Sequence, residues 1–456
     1  MFRKQSLCLL SMTTAIALAL LLGVMAVCRA DALTPPGSRV VTAPQSVQNA
    51  EMTVTAGLDT YAPFAMAYNS DLDEYLVVWR SWQPGEGYDV RAQRVSGAGV
   101  RVGEVLTVTA PVSTSVQPDP PAVTYNPDRD EFVIVWRSET ASCLQGQRVS
   151  SDGVLGELPF TITTSLNSNP HSPSLVYAFA DHVFLLVWRG CNVTARILGD
   201  VSPLGGGTPI GGGPCYFYTQ ILDGLGVAMG EEITATNSTY MQAVPASTYI
   251  PNLHEFWVVW TEQFSLKAQR VFTTGALAGE PFTITTQSDA DILNPAISNI
   301  AVNGEFLAVW ENHPISSYQS LRPMGGGYRD IYGQRVSSNT LSIGDRFRVS
   351  ANDDVGLYPK VFFLSGQGRY VVSWMDIVVG GIRRDHCVRW ISADGIPQGS
   401  PFLIGAMLNN QYLSALTGGD NTFFVAWKDE RDNISIRGRI LERAWWVYLP
   451  LVMRTN

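Results

Sequence analysis

Charged side chains follow a tryptophan that recurs seven times along the chain. Arginines directly follow the first three of these tryptophans, at Arg80, Arg137 and Arg189. Acids stand one or two positions after the other four, at Glu262, Glu311, Asp376 and Asp429. If the tryptophans end equivalent strands, one face of the fold carries a cationic arc and an anionic arc, suited to a ligand with a carboxylate or sulfate. The alternative is an ordinary polar rim where strands leave the core.

The sequence lacks the motifs of the common catalytic and metal sites. His254-Glu255 begins like a metalloprotease helix, but position 258 is valine and the segment has a strand pattern. Asp128-x-Asp130 has the opening spacing of a calcium loop without the glycine and distant glutamate that complete one. The sequence also has no P-loop and no Gly-x-Ser-x-Gly motif. We therefore predict no metal site and no cofactor, and the pattern identifies no catalytic residue.

Four cysteines lie beyond residue 32, at Cys143, Cys191, Cys215 and Cys387. Cys191 and Cys215 bracket a glycine-rich insertion that a crosslink would close, so they are the candidate disulfide. No Cys-x-x-Cys or mixed cysteine and histidine spacing occurs, which argues against a zinc site.

The N-terminus has the pattern of a secretion signal. Arg3 and Lys4 precede an apolar run over about residues 8–27, and small residues follow at Ala30 and Ala32. We predict a signal peptide at 1–32 and a linker at 33–49, hence a secreted or cell-surface protein. An uncleaved anchor is the alternative, because the apolar run could just span a bilayer.

The charge balance limits the partners. Removing residues 1–32, with three basic groups and one acidic group, changes the formal net charge from -9 to -11. An acidic chain argues against a nucleic-acid partner, which normally selects a basic face. No later stretch is apolar for long enough to span a membrane. We expect a monomer whose partner is a glycan, a peptide or a protein.

The recurring tryptophans define the elements that must position the charged side chains. They stand 50 to 72 residues apart, at Trp79, Trp136, Trp188, Trp260, Trp310, Trp374 and Trp427. This spacing is typical of four-stranded propeller blades. Coils of a parallel β-helix are much shorter, and immunoglobulin-like domains need about 100 residues. The sequence predicts an all-β, seven-bladed β-propeller over residues 50–443, with four antiparallel strands per blade.

Each repeat has a regular internal order. A proline such as Pro121 opens the first strand, and a second strand such as Glu131–Arg137 is apolar on both faces, as expected where neighbouring blades cover it. Burial between blades then accounts for all seven tryptophans. A third strand carries Gln-Arg-Val, whose arginine could lie over the tryptophan or be solvated. Long insertions at 190–215 and 312–328 both follow second strands, so they gather on one loop-rich face.

The chain ends are predicted to complete one blade together. The last repeat lacks a fourth strand, while Thr53–Ala56 are identical to Thr107–Ala110 of the first repeat's fourth strand. An N-terminal strand that completes the last blade would close the ring and cover edge strands. Residues 444–456 form a separate C-terminal tail.

The repeat, with Tyr-Asn-Pro, Glu-Phe, Val-Trp and Gln-Arg-Val in order, resembles those of large secreted bacterial β-propeller proteins. The tail at 447–452 is similar to C-terminal endings of exported proteins from Chloroflexota-type bacteria. The resemblance implies the fold and export, and it implies no reaction.

Three functions stay open. The first is a binding module that recognises a glycan, peptide or protein on the loop-rich face. The second is a sialidase-like glycoside hydrolase, with the three arginines as an anion clamp and one of Glu262, Glu311 or Asp376 as acid or base. Against it, Ser151-Asp152-Gly153 lacks the spacing and the tryptophan of the sialidase box. The third is a purely structural surface module.

Overall fold

The computed structural model describes most of the predicted propeller. The described residues are 50–56, 63–111, 119–138, 143–162, 170–191, 215–236, 244–262, 264–299, 301, 304–314, 329–339, 342–350, 355–377, 384–404, 411–430 and 434–442. The predicted signal peptide, linker and C-terminal tail, and the central parts of both insertions, lie outside these residues. All described residues belong to one compact unit.

The described residues form 28 strands in seven four-stranded antiparallel sheets, which confirms the predicted seven-bladed β-propeller. Each inner strand contacts the inner strands of the two adjacent blades, so the sheets form a ring. The inner strands, numbered in chain order, are β2 (Phe64–Asn69), β6 (Ala122–Asn126), β10 (Pro170–Ala178), β14 (Ala246–Ile250), β18 (Ala290–Ile297), β22 (Val355–Leu364) and β26 (Gln411–Gly418).

The second strand of each blade carries the recurring tryptophan. These strands are β3 (Glu74–Gln83), β7 (Glu131–Arg137), β11 (Val183–Cys191), β15 (Glu255–Glu262), β19 (Glu305–Pro314), β23 (Arg369–Ile377) and β27 (Thr422–Asp429). The third strands are β4 (Gly87–Ser96), β8 (Leu144–Ser150), β12 (Cys215–Leu222), β16 (Ser265–Phe272), β20 (Asp330–Ser337), β24 (Arg384–Ser392) and β28 (Ser435–Glu442).

The outer strands complete the blades, and the last of them comes from the N-terminus. They are β5 (Arg101–Thr107), β9 (Phe160–Ile162), β13 (Ala228–Thr234), β17 (Phe282–Thr286), β21 (Ser342–Arg348), β25 (Pro397–Leu403) and β1 (Met52–Ala56). Strand β1 pairs antiparallel with β28, and Arg437 Nη1 donates to Glu51 Oε1 at 3.0 Å. The predicted closure by the N-terminal strand is therefore present.

Apolar side chains fill the space between neighbouring blades. On one side of β7, Phe132, Ile134 and Trp136 pack against blade 1, while Val133 and Val135 on the other side pack against blade 3. All seven tryptophans of the second strands are at most 3% exposed. The second strand is thus covered on both faces, as its continuous apolar sequence predicts.

The repeated glutamine of the third strand holds the outer strand. Gln93 Nε2 donates to the carbonyls of Val102 and Gly103, and Gln147, Gln220, Gln269 and Gln334 repeat this contact. The glutamine is buried and lies where the pairing of third and outer strands shifts register. It therefore satisfies carbonyl groups that the strand ladder leaves unpaired.

The sequence left two alternatives for the repeated arginine, stacking over the tryptophan or solvation, and the structure shows a third arrangement. Arg94, Arg270 and Arg335 form ion pairs of 2.6 to 2.8 Å with the glutamate that begins the second strand of the same blade. In these blades it is neither a cation–π partner of the tryptophan nor simply solvated, because a largely buried carboxylate lies within ion-pair distance of it.

Two faces of the ring differ in the segments they carry. We call the face where inner strands turn into second strands the turn face, and the opposite face, where second strands end and inner strands begin, the connection face. On the turn face Tyr125 donates to Asp71 of the preceding blade at 3.0 Å, and Tyr177 and Tyr249 contact Asp128 and Asp181 likewise. These contacts link consecutive blades and show that their inner strands run in one direction.

Removal of the closing strand should destabilise the ring. A chain that begins at residue 58 loses the β1 ladder and the burial of Val54, which is 0% exposed. We expect a loss of about 3 kcal/mol or more from the hydrophobic contribution and the ladder together, seen as a lower melting temperature. A chain that begins at residue 50 is the control, and equal melting temperatures for the two chains would contradict the closure.

The tyrosine–aspartate contacts should make stability depend on acid pH. Burial opposes ionisation of Asp128 and Asp181, but hydrogen bonds from tyrosine and histidine lower the pKa of both carboxyls overall. Since an unfolded aspartate has a pKa of about 3.9, the stabilisation is present above that pH and is lost as the pH falls below it.

The Asp128→Asn/Asp181→Asn variant tests this pH dependence. We expect it to melt below the wild type at pH 7, with the difference shrinking as the pH is lowered from 5 to 3. Asp394→Asn, at an exposed carboxylate, is the control and should not alter the profile. A difference in melting temperature that stays constant from pH 5 to pH 3 would contradict the predicted pH dependence.

Candidate functional site

All seven charged residues predicted from the sequence lie on the connection face. Each stands in the last part of its second strand, after the tryptophan, on strands β3, β7, β11, β15, β19, β23 and β27. The charges of two of them, Arg137 and Arg189, both act on the carboxylate of Asp119, which lies 3.8 Å from Arg137 Nη1. The structure provides the other five with separate local partners.

Backbone irregularities shape the inner strands on this face. Ser172, Asn294 and Tyr358 have φ values of 52°, 46° and 54°, and each lies at a register shift in its inner strand and precedes a proline. Left-handed backbone is uncommon for residues other than glycine. In these blades the proline stands inside the strand rather than at its start, contrary to the sequence pattern. The inner strand therefore extends further onto the connection face.

One cluster on this face combines a residue of the connection between blades 1 and 2 with residues of blade 2 and blade 3. Asp119 Oδ2 lies 2.8 Å from His171 Nδ1 and 3.8 Å from Arg137 Nη1, and Ser172 Oγ donates to Oδ1 at 3.3 Å. His171 and Arg189 stand directly opposite each other in the pairing of β10 with β11. We call these five residues the Asp119 cluster.

The carboxylate of Asp119 lies within the electrostatic influence of several cationic groups. Burial disfavours the ionised form of Asp119, but the hydrogen bond from His171 and the charges of Arg137 and Arg189 lower its pKa overall. Two guanidinium groups thus act on one carboxylate. Arg189 Nε is buried and has no hydrogen-bond partner within the described part of the chain. An unmade hydrogen bond at a buried donor costs about 1 to 3 kcal/mol, so the described part of the fold leaves this donor unsatisfied at a cost in stability.

Arg80 does not belong to this cluster. Its side chain is buried, and its charge acts on Asp89, which also accepts a hydrogen bond from Arg91 Nε at 2.9 Å. Burial raises the pKa of Asp89 despite both cations. The three arginines predicted as one clamp are therefore divided between two carboxylates.

Each of the four predicted acids contacts a group in its own blade or in the adjacent blade. Glu262 forms an ion pair of 2.9 Å with Lys267, and Asp376 accepts from Cys387 Sγ at 3.5 Å. Asp429 is fully buried and accepts from Trp427 Nε1 at 3.1 Å.

Glu311 is the most enclosed of the four acids. It is 0% exposed and accepts hydrogen bonds of 2.6 Å from Asn294 Nδ2 and from the backbone N–H of Tyr358 in the next blade. Burial raises its pKa although these donors and Arg329 act in the opposite direction. Glu311 thus joins blades 5 and 6.

The four cysteines include one bonded residue and two free thiols. Cys215 is disulfide-bonded, and Cys191 stands directly opposite it in the pairing of β11 with β12. Cys143 and Cys387 are buried free thiols. A crosslink at this position would join the second and third strands where the long insertion of blade 3 begins and ends.

A separate cavity of about 620 Å³ lies along the ring axis. Its walls come from the inner strands of all seven blades, near the turn face, and include Met66, Tyr125, Phe179 and Phe362. No residue of the Asp119 cluster lines it. The axial cavity and the cluster are therefore distinct places in the molecule.

The described residues contain neither a candidate metal-binding group nor a candidate membrane-spanning helix. No group of three or more histidine, cysteine or acidic side chains stands where it could hold a metal ion. None of the segments that the structure describes forms a helix with the length and apolar character of a membrane span.

Comparison with known proteins identifies the fold and no family. No protein-family model matches the chain, and no match was found among curated proteins. Two crystal structures of puromycin hydrolase are similar at 13% identity, with TM-scores of 0.52 and 0.53 over 88% of this chain. This chain spans only 56% of their length.

Further structural neighbours are less similar to this chain. A protein of unknown function from Dyadobacter fermentans has 10% identity and a TM-score of 0.47, over 90% of this chain and 100% of its own. The β-propeller domain of the Trilobed protease from Pyrococcus furiosus has 9% identity and a TM-score of 0.44, over 83% and 96%. At these identities the likeness shows a β-propeller and nothing about activity.

Sequence reasoning missed Asp119, His171 and Ser172. Each stands one or two residues before a proline: Asp119 precedes the two prolines ahead of β6, and His171 and Ser172 precede Pro173 within β10. An alignment of the polar residues that precede these prolines would have identified Asp119, His171 and Ser172. The alignment on the tryptophans had already identified Arg137 and Arg189.

Removal of the central carboxylate should make the fold depend on anions. In Asp119→Ala the charges of Arg137 and Arg189 lose their counterion in a mostly buried place, so we expect destabilisation by about 2 kcal/mol at low salt. Sulfate should restore the melting temperature more than chloride at matched ionic strength. Asp394→Ala is the control, and identical recovery in the two salts would speak against an anion site.

Proposed function

We propose that this protein is an extracellular binding module that holds a carboxylate- or sulfate-bearing ligand at the Asp119 cluster. The observation that carries the proposal is the convergence of Arg137, Arg189 and His171 on one carboxylate, with a buried donor of Arg189 left over. Arginine has five N–H donors in a planar fork that matches oxyanions. Arg189 Nε is such a donor, and no group in the described part of the chain accepts a hydrogen bond from it.

Partial burial makes such contacts effective. The side chains of Arg137, Asp119 and His171 are 13% to 16% exposed, so they reach the surface but are largely screened from water. Charge-assisted hydrogen bonds are about twice as strong as neutral ones, and more so at reduced solvent exposure. Asp119 and the strand pairing of His171 with Arg189 hold the donors in place before a ligand arrives.

A hydrolase acting on an acidic saccharide is the second candidate. One observation favours it: burial raises the pKa of Glu311, as a general acid requires. However, Glu311 is fully enclosed between blades 5 and 6, so a substrate would reach it only if those blades moved apart. Hydrolysis also needs a second carboxylate at about 5 to 10 Å. The geometry supports binding better than hydrolysis.

The test is binding of the chain from residue 33 onward to an array of sulfated, uronate-bearing and neutral glycans and acidic peptides. The Arg137→Ala/Arg189→Ala variant should lose at least about tenfold in affinity, because each charge-assisted hydrogen bond contributes about 1.5 to 3 kcal/mol. Binding should also weaken with added salt.

Arg101→Ala/Arg346→Ala is the matched control, because it removes the same charge from exposed positions on β5 and β21. It should bind like the wild type. Equal affinity of the wild type and the Arg137→Ala/Arg189→Ala variant would refute the anion site, and absence of binding to every probe would favour a structural module.

A further inference from the structure

The hairpin of strands β3 and β4 projects from the connection face. The inner strand of blade 1 begins at Phe64, which pairs with Trp79, but β3 continues to Gln83 and pairs there with Gly87 of β4. Four additional residues at about 3.3 Å each extend the hairpin by roughly 13 Å. Gly85 and Gly87, with φ values of 82° and 110°, form the tight turn at its tip. The hairpin is therefore a regular, hydrogen-bonded extension of the blade.

This hairpin exposes aromatic surface that the core does not use. Of the ten tryptophans in the described part of the chain, eight are buried and Trp390 is half-buried against Arg369. Trp82 is 38% exposed and stands directly opposite Tyr88, with 4.9 Å between the ring centroids. Two rigid rings, tilted by 60° to each other, are thus held together at the surface on a paired β-hairpin.

The aromatic pair faces blade 2, where the Asp119 cluster begins. Side chains alternate along a strand, so Trp82 lies on the same side of β3 as Val78 and Arg80. Val78 packs in the core cluster that contains Ile134 and Trp136 of blade 2. Trp82 and Tyr88 therefore stand above the interface between blades 1 and 2. Arg137 lies on the side of β7 that carries Val133 and Val135 and faces blade 3, so the Asp119 cluster lies above the next interface, between blades 2 and 3.

The other side of the hairpin is polar. Asp89 and Arg91 form an ion pair of 2.9 Å there, and Gln83 Nε2 donates to Ser81 Oγ at 3.1 Å. The aromatic rings are therefore the distinguishing surface on the side toward blade 2, and the Asp119 cluster follows at the next interface between blades on the same face.

We propose that the ligand is an acidic saccharide that stacks a pyranose ring on Trp82 and Tyr88 and places a carboxylate or sulfate at the Asp119 cluster. This inference rests on the proposed function and deepens it. A pyranose has a flat C–H face that fits an exposed ring and a periphery of hydroxyls that stay hydrated. An aromatic pair on an open hairpin, rather than in a pocket, suits such a ligand. The positive charge beyond the rings selects saccharides with an anionic group.

The test uses hexagalacturonate and a chondroitin sulfate hexasaccharide, with maltohexaose as the neutral counterpart and inorganic sulfate as the anion without a sugar. Binding is followed by calorimetry and by tryptophan fluorescence. We expect the acidic hexasaccharides to quench the Trp82 emission and Trp82→Ala to lose about tenfold in affinity for them. Trp82→Tyr should retain most of the affinity, and sulfate binding should be the same in both variants.

Controls separate this inference from the proposed function. Trp390→Ala removes a half-buried indole on β24 and should bind the saccharides normally. If Trp82→Ala binds acidic saccharides like the wild type while Arg137→Ala/Arg189→Ala does not, the anion site stands and ring stacking is overturned. An acidic peptide that binds as tightly and depends equally on Trp82 overturns the saccharide assignment. Absence of binding to any probe overturns both proposals.

Discussion

The ring depends on mutual burial of neighbouring blades. Each second strand is apolar on both faces, so no blade can cover its own hydrophobic surface and each needs a neighbour on either side. Clusters that combine residues of adjacent blades follow one another around the molecule. The same requirement explains the closure by β1, since the last sheet would otherwise end at an unpaired third strand.

Polar side chains at repeated positions complete the apolar core. The third-strand glutamine satisfies carbonyls at the register shift of the outer strand, and the adjacent arginine pairs with the glutamate that begins the second strand. Tyrosines on the turn face link consecutive blades through aspartates. Each contact satisfies a group whose isolated burial would be unfavourable. Polar repeats in this protein therefore serve the frame, and residues that depart from them are the candidates for function.

The Asp119 cluster and the hairpin of β3 and β4 are two such departures. Asp119 comes from the connection between blades 1 and 2, His171 and Ser172 from an extended inner strand, and Trp82 from a second strand that is longer than its blade requires. Both features lie on the connection face, above a scaffold of paired strands. Rigid frames that present irregular segments on one face are typical binding architectures. The axial cavity belongs to the regular frame because all seven inner strands contribute to it.

The sequence by itself determined the fold, because its information is periodic and local. The recurring apolar strand ending in tryptophan specifies both the number of blades and the burial of each second strand. The identity of Thr53–Ala56 with Thr107–Ala110 specifies which strand completes the last blade. The ends of the second strands likewise pointed to Arg137 and Arg189.

Only the tertiary structure decided which charges meet. Asp119 and Arg189 are 70 residues apart in the sequence, and they share one site because blades 2 and 3 are neighbours and the inner strand of blade 3 bulges at Ser172. The same holds for Glu311, whose enclosure depends on Asn294 and on the backbone of Tyr358 in the next blade. Charge pairing depends on distances between segments that no local pattern encodes, whereas strand formation depends on the alternation and apolarity of consecutive residues.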